Sequence, residues 1–118
     1  MGTFTDQYLA EAVEIIEALD SLQVEGIASS LAQVRKRGGR LFIVGVGGSA
    51  GHASHAVNDF RKICGIEAYT PVDNVSELTA RINDDGWDTV FSTWLEGSHL
   101  GSDDAVLVFS VGGGDAKR

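Results

Sequence analysis

From Tyr8 onward, apolar residues recur at helical intervals: Tyr8, Ala12, Ile15, Ile16, Leu19 and Leu22, with Glu11, Glu14, Glu17 and Asp20 filling the other faces. That period predicts an amphipathic helix. Val24, Ile27, Ala28, Leu31 and Val34 repeat it, and Gly38-Gly39 supplies a stop after a basic last turn. Residues 1–38 therefore read as a helical hairpin. The period then changes. Leu41-Phe42-Ile43-Val44 is a continuous apolar run of strand formers, as expected for a parallel strand buried on both faces. It leads into Gly45-Val46-Gly47-Gly48-Ser49, then a helix from Ser49 to about Ile63 and a second short strand from Glu67 to Val72. Ser76 is expected to cap a helix through about Ile82, and Asn83-Asp84-Asp85-Gly86 to break it. Trp87 to Leu95 read as another helix, and Ala105 to Ser110 as a third buried strand ending in Gly112-Gly113-Gly114.

Strands alternating with helices imply an α/β fold, a three-layer parallel sheet over residues 39–118 preceded by the helical hairpin. The 118 residues make one domain, 1–118, and 43% apolar with 22% charged residues is the mix of a chain that folds around a core. Only eight residues follow Ser110, fewer than the dozen or more that a crossover and a further strand need. The expectation is a fold whose C-terminal part is missing from this chain, the open strand edge being covered by further sequence or by a partner.

A net charge of −8 argues against nucleic acid and against anionic membrane surfaces. Residues 1–34 carry six carboxylates and no Lys or Arg, whereas Arg35, Lys36, Arg37 and Arg40 form a short basic patch, read mainly as helix-end cations. Cys64 is the one cysteine; it has no internal disulfide partner and reads as a small core residue. With no leader and no apolar run of about 18 residues, a reducing cytoplasm is the expected location.

In a parallel α/β sheet, ligands sit beyond the carboxyl ends of the strands, and both glycine-rich loops occupy that edge. Gly47 and Gly48 let the backbone bend, the next helix aims free N–H groups and its positive dipole end at the loop, and Ser49 adds a hydroxyl. This is chemistry for a phosphate; the plain alternative is a tight strand-to-helix turn. His52, His55 and Asp59 follow at i, i+3 and i+7, within about 60° of one helical face. His55 and Asp59 can share a divalent metal such as zinc or act as an acid–base pair, and can equally be a solvated surface pair. Asp73, Asn74 and Ser76 point at the same edge or cap a helix. Trp87, Phe91 and Trp94 read as core or subunit contact rather than as a substrate platform. Gly45, Gly47 and Gly51, with Glu67 or Asp73 as a ribose acid, fit a loose dinucleotide fingerprint and leave a nicotinamide-dependent oxidoreductase as a minor reading.

With these residues in place, the sequence resembles the SIS (sugar isomerase) domain family, and within it the phosphoheptose (sedoheptulose 7-phosphate) isomerases, over residues 4 to 115. The resemblance rests on the leading helical pair, Gly45-Val46-Gly47-Gly48-Ser49, His55 with Asp59, and Leu78-Thr79-Ala80-Arg81-Ile82-Asn83-Asp84-Asp85-Gly86-Trp87-Asp88-Thr89-Val90-Phe91. It implies a flavodoxin-type fold and interconversion of sedoheptulose 7-phosphate with an aldoheptose 7-phosphate through an enediol, a step of heptose biosynthesis. It also implies phosphate contacts from Gly47, Gly48, Ser49, Ser110, Gly112 and Gly113, with Asp73 near the sugar hydroxyls. His55 and Asp59 correspond to catalytic residues and to part of a zinc site, and the family implies a homo-oligomer, dimer or tetramer, with sites between subunits. Three departures stand out. Val46 replaces Asn, Asp59 replaces a longer Glu, and Val111-Gly112-Gly113-Gly114-Asp115 replaces most hydroxyls of the family's second loop. The family's second catalytic and metal-binding group, a His with a nearby Gln, lies on a helix that would follow Arg118. The alternative is a non-catalytic sugar-phosphate-binding SIS module or partial subunit.

Overall fold

The computed structural model describes residues 2–116. They fall into two compact units, Met1–Ser30 and Leu31–Arg118.

In the first unit, helix α1 (Phe4–Ala18) starts from a reciprocal cap. Thr3 Oγ1 accepts the Asp6 N–H at 3.2 Å and Asp6 Oδ2 accepts the Thr3 N–H at 2.8 Å, satisfying two donors that a helix end leaves open. Helix α2 (Ser21–Lys36) begins here, with Asp20 Oδ1 accepting the Leu22 N–H at 2.9 Å, and continues into the second unit. Both helices form where the apolar period predicts them. No described residue of this unit is buried, and Tyr8, Ile15, Ile16, Leu19 and Leu22 each expose more than half of their surface.

The second unit is a parallel sheet. Strands β1 (Arg40–Gly45), β2 (Glu67–Tyr69) and β3 (Ala105–Phe109) run in the order β2-β1-β3. Helix α3 (Gly48–Lys62) links β1 to β2, while α4 (Val75–Asp85) and α5 (Val90–Gly97) lie between β2 and β3. Central β1 is buried on both faces. Leu41 and Ile43 join Val34, Ala53, Val57 and Ala68 in one core cluster, whereas Phe42 packs edge-on against Trp94 at 5.6 Å between ring centroids. Helices thus flank both faces, giving the predicted layers.

Five local expectations change. β3 is not fully buried: Ala105, Leu107 and Phe109 pack on the α3 side while Val106 and Val108 are exposed, because an edge strand in this unit has cover on one face only. β2 ends at Tyr69 rather than Val72, as Pro71 lacks the N–H that a ladder needs. Helix α4 is capped by Asn74, whose Oδ1 accepts the Glu77 N–H at 3.1 Å, not by Ser76. It also runs through Asn83, Asp84 and Asp85 to stop at Gly86, so these residues are its last turn, and the next helix begins at Val90 rather than Trp87.

The basic patch resolves into a clamp at the amino ends of the strands. Arg40 Nη2 donates to Asp104 Oδ2 at 2.9 Å and to the His99 carbonyl at 2.8 Å, and Nη1 donates to the Ser98 carbonyl at 2.9 Å. Asp104 also accepts the backbone N–H of Arg40 and of Gly101, each at 2.8 Å. One ion pair therefore ties the end of α5 and the start of β3 to β1, and it holds His99 at a positive φ of 55°, a conformation uncommon outside glycine. Desolvation pushes the Asp104 carboxyl up, but the Gly101 N–H and the Arg40 guanidinium and N–H outweigh it and leave it below its ordinary value. A lowered folded-state pKa contributes stability above the unfolded value, about 3.9, that is lost as pH falls through the folded one. Asp104→Asn is expected to lower the unfolding free energy by about 2–4 kcal/mol at neutral pH. Urea titrations at pH 7 and pH 3 should show a smaller acid loss in the variant than in the parent.

Candidate functional site

β1 and β3 end side by side, since Gly45 pairs with Phe109 in the parallel register. The loops that follow must leave the sheet together. Because β1 connects to β2 on one side while β3 lies on the other, this is the switch point of the sheet, where the crevice beyond the strand ends opens.

The first loop is shaped by two glycines. A Cβ on Gly45 would lie 2.4 Å from the Ser49 carbonyl oxygen, so the first turn of α3 can sit on the strand end only if that position has no side chain. Gly47 caps α3 with φ 61° and ψ −123°, a region open to glycine. The turn closes through Ser49 N–H to Val46 O at 3.1 Å and Ala50 N–H to Gly47 O at 3.0 Å. Gly48 stands at the helix start, where peptide N–H groups and the dipole favour an anion. The Ser49 hydroxyl makes no hydrogen bond among the described residues. In the second loop, Ser110 Oγ accepts the Gly113 N–H at 3.0 Å, which fixes the turn and leaves the hydroxyl proton available to a ligand.

The two loops share cavities. One of about 450 Å³ is lined by Val46 and Ser49 from the first loop, Ser110 and Val111 from the second, and Phe91 from α5. Another of about 920 Å³ shares Val46 and Phe91 with it and adds Trp87, Asp88, Gly112, Gly114 and Asp115. A shallower one, about 390 Å³, carries His52, His55 and Asp59 beside Phe109. His55 Nε2 lies 3.5 Å from Asp59 Oδ2, with both side chains substantially exposed.

The sequence-derived residues therefore separate into groups. Ser49, Ser110 and Gly112 line the cavities between the loops, with Gly47, Gly48 and Gly113 in the backbone of the same turns. His55 and Asp59 pair as their spacing predicts. Asp73 is exposed in the turn after β2 and lines none of these three cavities. No group of three or more His, Cys, Asp or Glu side chains that could hold a metal ion comes together among the described residues. His55 and Asp59 thus offer two donors, fewer than the three or four protein ligands zinc takes. Trp94, grouped with Trp87 by spacing, is instead core: it is 9% exposed, and its Nε1 donates to Glu77 Oε2 at 3.0 Å. Trp87, at 47% exposure, precedes α5 and lines the cavity of about 920 Å³. The signal that separates them is Gly86, which ends one helix immediately before Trp87.

Fold and sequence together relate this chain to the SIS-domain proteins. Within that class, the chain is homologous to the phosphoheptose isomerase family over most of its length. It is 32% identical to the phosphoheptose isomerase of Citrifermentans bemidjiense, covering 85% of this chain and 56% of that protein. With the phosphoheptose isomerase of a Roseiflexus species it is 35% identical over 62% of this chain and 40% of the relative. The solved structure of phosphoheptose isomerase GmhA from Neisseria gonorrhoeae superposes with a TM-score of 0.67 at 28% identity, covering 92% of this chain and 61% of that one. The chain spans about half the length of the curated relatives it matches. No protein-family model matches it. No described helix is long and apolar enough to cross a membrane.

The contact at Gly45 makes a direct prediction about the site. Gly45→Ala is expected to lower stability by about 1–3 kcal/mol by displacing the first turn of α3. A denaturant titration and the amide NMR shifts of the variant measure the two effects, and a Ser49 amide unshifted from the parent would contradict the contact.

Proposed function

We propose that this chain carries the phosphate-binding half of a sugar-phosphate isomerase site, and that the reaction interconverts sedoheptulose 7-phosphate and an aldoheptose 7-phosphate. The observation that carries the reading is the shared cavity of the two glycine-rich loops beyond β1 and β3, one of which starts the helix bearing the paired His55 and Asp59. Kinship with phosphoheptose isomerases supports the reaction class.

In this reading, the amide groups at the start of α3 and the Ser49 and Ser110 hydroxyls hold the phosphate ester. Asp59 acts as general base, taking the proton from the carbon next to the carbonyl; the electron pair forms the C=C bond and moves the carbonyl pair onto its oxygen, which takes up a proton to give the enediol. His55 acts as electrophile, stabilising the charge that develops on that oxygen. Loss of the proton from the other hydroxyl, with return of the carbon-bound proton from Asp59 to the neighbouring carbon, completes the aldose–ketose exchange. Asp59 is one methylene shorter than Glu, so the carbon must approach α3 about 1 Å more closely than a Glu would require. With two donors present, no step is routed through zinc. Asp73 is assigned to the sugar hydroxyls by the family resemblance alone, since it lines none of the three cavities.

A second reading, a sugar-phosphate-binding module without turnover, is favoured by the exposure of the His55–Asp59 pair, which leaves a proton-transfer site open to water. NMR of sedoheptulose 7-phosphate in deuterated water separates the two. The isomerase incorporates deuterium beside the carbonyl, and Asp59→Asn abolishes that exchange while phosphate-ester binding persists. Binding without exchange in the parent protein supports the module, and exchange retained in Asp59→Asn removes Asp59 as the base.

The exposed apolar residues of α1 and α2 support a homo-oligomer. Ile16→Glu combined with Leu19→Glu is expected to lower the solution mass to that of one chain in light scattering, and an unchanged mass would remove this face from the interface.

A further inference from the structure

Trp87 is the large side chain in the site with no role in the phosphate or proton chemistry. It stands between Gly86, which ends α4, and Val90, which begins α5. Its ring packs edge-to-face on Phe91, with centroids 5.6 Å apart and planes at 67°, so its orientation is supported from behind. It is 47% exposed, and the exposed surface borders the cavity of about 920 Å³ that also contains Val46, Asp88, Gly112 and Gly114. That volume is in the range of small-molecule sites, about 300–1,000 Å³. A phosphate alone occupies little of it. What remains is an aromatic and aliphatic lining of Trp87, Phe91 and Val46 with the carboxylates of Asp88 and Asp115. A polyol chain matches this surface, since its polarised C–H groups lie against the negative face of an indole and its hydroxyls donate to a carboxylate.

We propose that Trp87 is a specificity-determining residue: the carbon chain of a phosphorylated sugar held by the two glycine-rich loops lies on its indole, so that the site favours long-chain sugar phosphates over short phosphate esters. The inference rests on the phosphate-binding reading above and deepens it. Trp87 touches the ligand at a distance from the reacting carbons, and its contribution is to binding and alignment.

The two tryptophans make the test direct, because Trp94 is buried and shielded while Trp87 is open to a quencher. Sedoheptulose 7-phosphate is expected to protect the fluorescence from acrylamide, whereas glycerol 3-phosphate and inorganic phosphate bind without protecting it. Trp87→Ala should weaken sedoheptulose 7-phosphate about three- to tenfold and leave inorganic phosphate unchanged. Trp87→Phe, which retains a ring against Phe91, should restore most of the affinity. Equal weakening of both ligands, no weakening of either, or protection that follows protein concentration rather than ligand would each overturn the proposal, the last by making Trp87 a subunit contact. If inorganic phosphate does not bind the parent protein, the loop reading itself fails and this inference fails with it. Phosphate binding with no discrimination by Trp87 overturns this inference alone.

Discussion

The geometry of the site depends on the way β1 ends. Leu41 to Gly45 are all buried, so the strand is fixed from both faces and its end cannot drift. At that end the Ser49 carbonyl sits where a Cβ of Gly45 would be, which sets the pitch of α3 against the strand. The same residue pairs with Phe109 of β3. One position therefore fixes where α3 begins and where the second loop leaves the sheet. Ser49, Ser110 and the His55–Asp59 pair inherit their places from it. A looser contact would leave the same residues in the chain without fixing where the two loops and the pair lie.

Charge is distributed to suit that arrangement. The best-satisfied ion pair, Arg40 with Asp104, sits at the amino ends of the strands, where it links β1, β3 and the end of α5. Its donors are occupied by carbonyls and a carboxylate, so it anchors the sheet. Among the described residues no Lys or Arg lines the three cavities beyond the carboxyl ends, so in the proposed reading an anion there is held by peptide N–H groups, hydroxyls and the α3 dipole, which act at short range. In a protein of charge −8, the site as proposed suits a small phosphate ester better than an extended polyanion.

Much of this is legible in the sequence because the signals are local. The run from Leu41 to Val44, the glycines after it and the i, i+4 spacing of His55 and Asp59 are determined by residues close in the chain. The features that were not legible depend on partners far away. Arg40 looks like one more helix-end cation until Asp104, 64 residues later, is brought beside it. Val106 and Val108 read as core because periodicity counts apolarity and not the cover on each face, and β3 lies at an edge. Trp87 and Trp94 share a helical interval, but Gly86 and the start of α5 at Val90 put them in different environments.

The second loop shows how the chemistry can persist while the side chains change. Val111, Gly112, Gly113 and Gly114 offer no hydroxyls, yet the turn is ordered by Ser110 Oγ on the Gly113 N–H, and Gly113 and Gly114 both have positive φ. Successive peptide groups in such conformations can turn their N–H groups to one side, the arrangement that makes an anion-binding nest. Replacing hydroxyls by backbone removes the side-chain torsions that a hydroxyl-rich loop must fix on binding, but it removes adaptable donors too. A loop of this kind suits the terminal phosphate, whose three oxygens accept from many directions, better than the directional hydroxyls of a sugar. In the proposed reading, recognition of the sugar falls to side chains elsewhere on the cavity wall, where Val46 and Trp87 are apolar and Asp88 is a carboxylate.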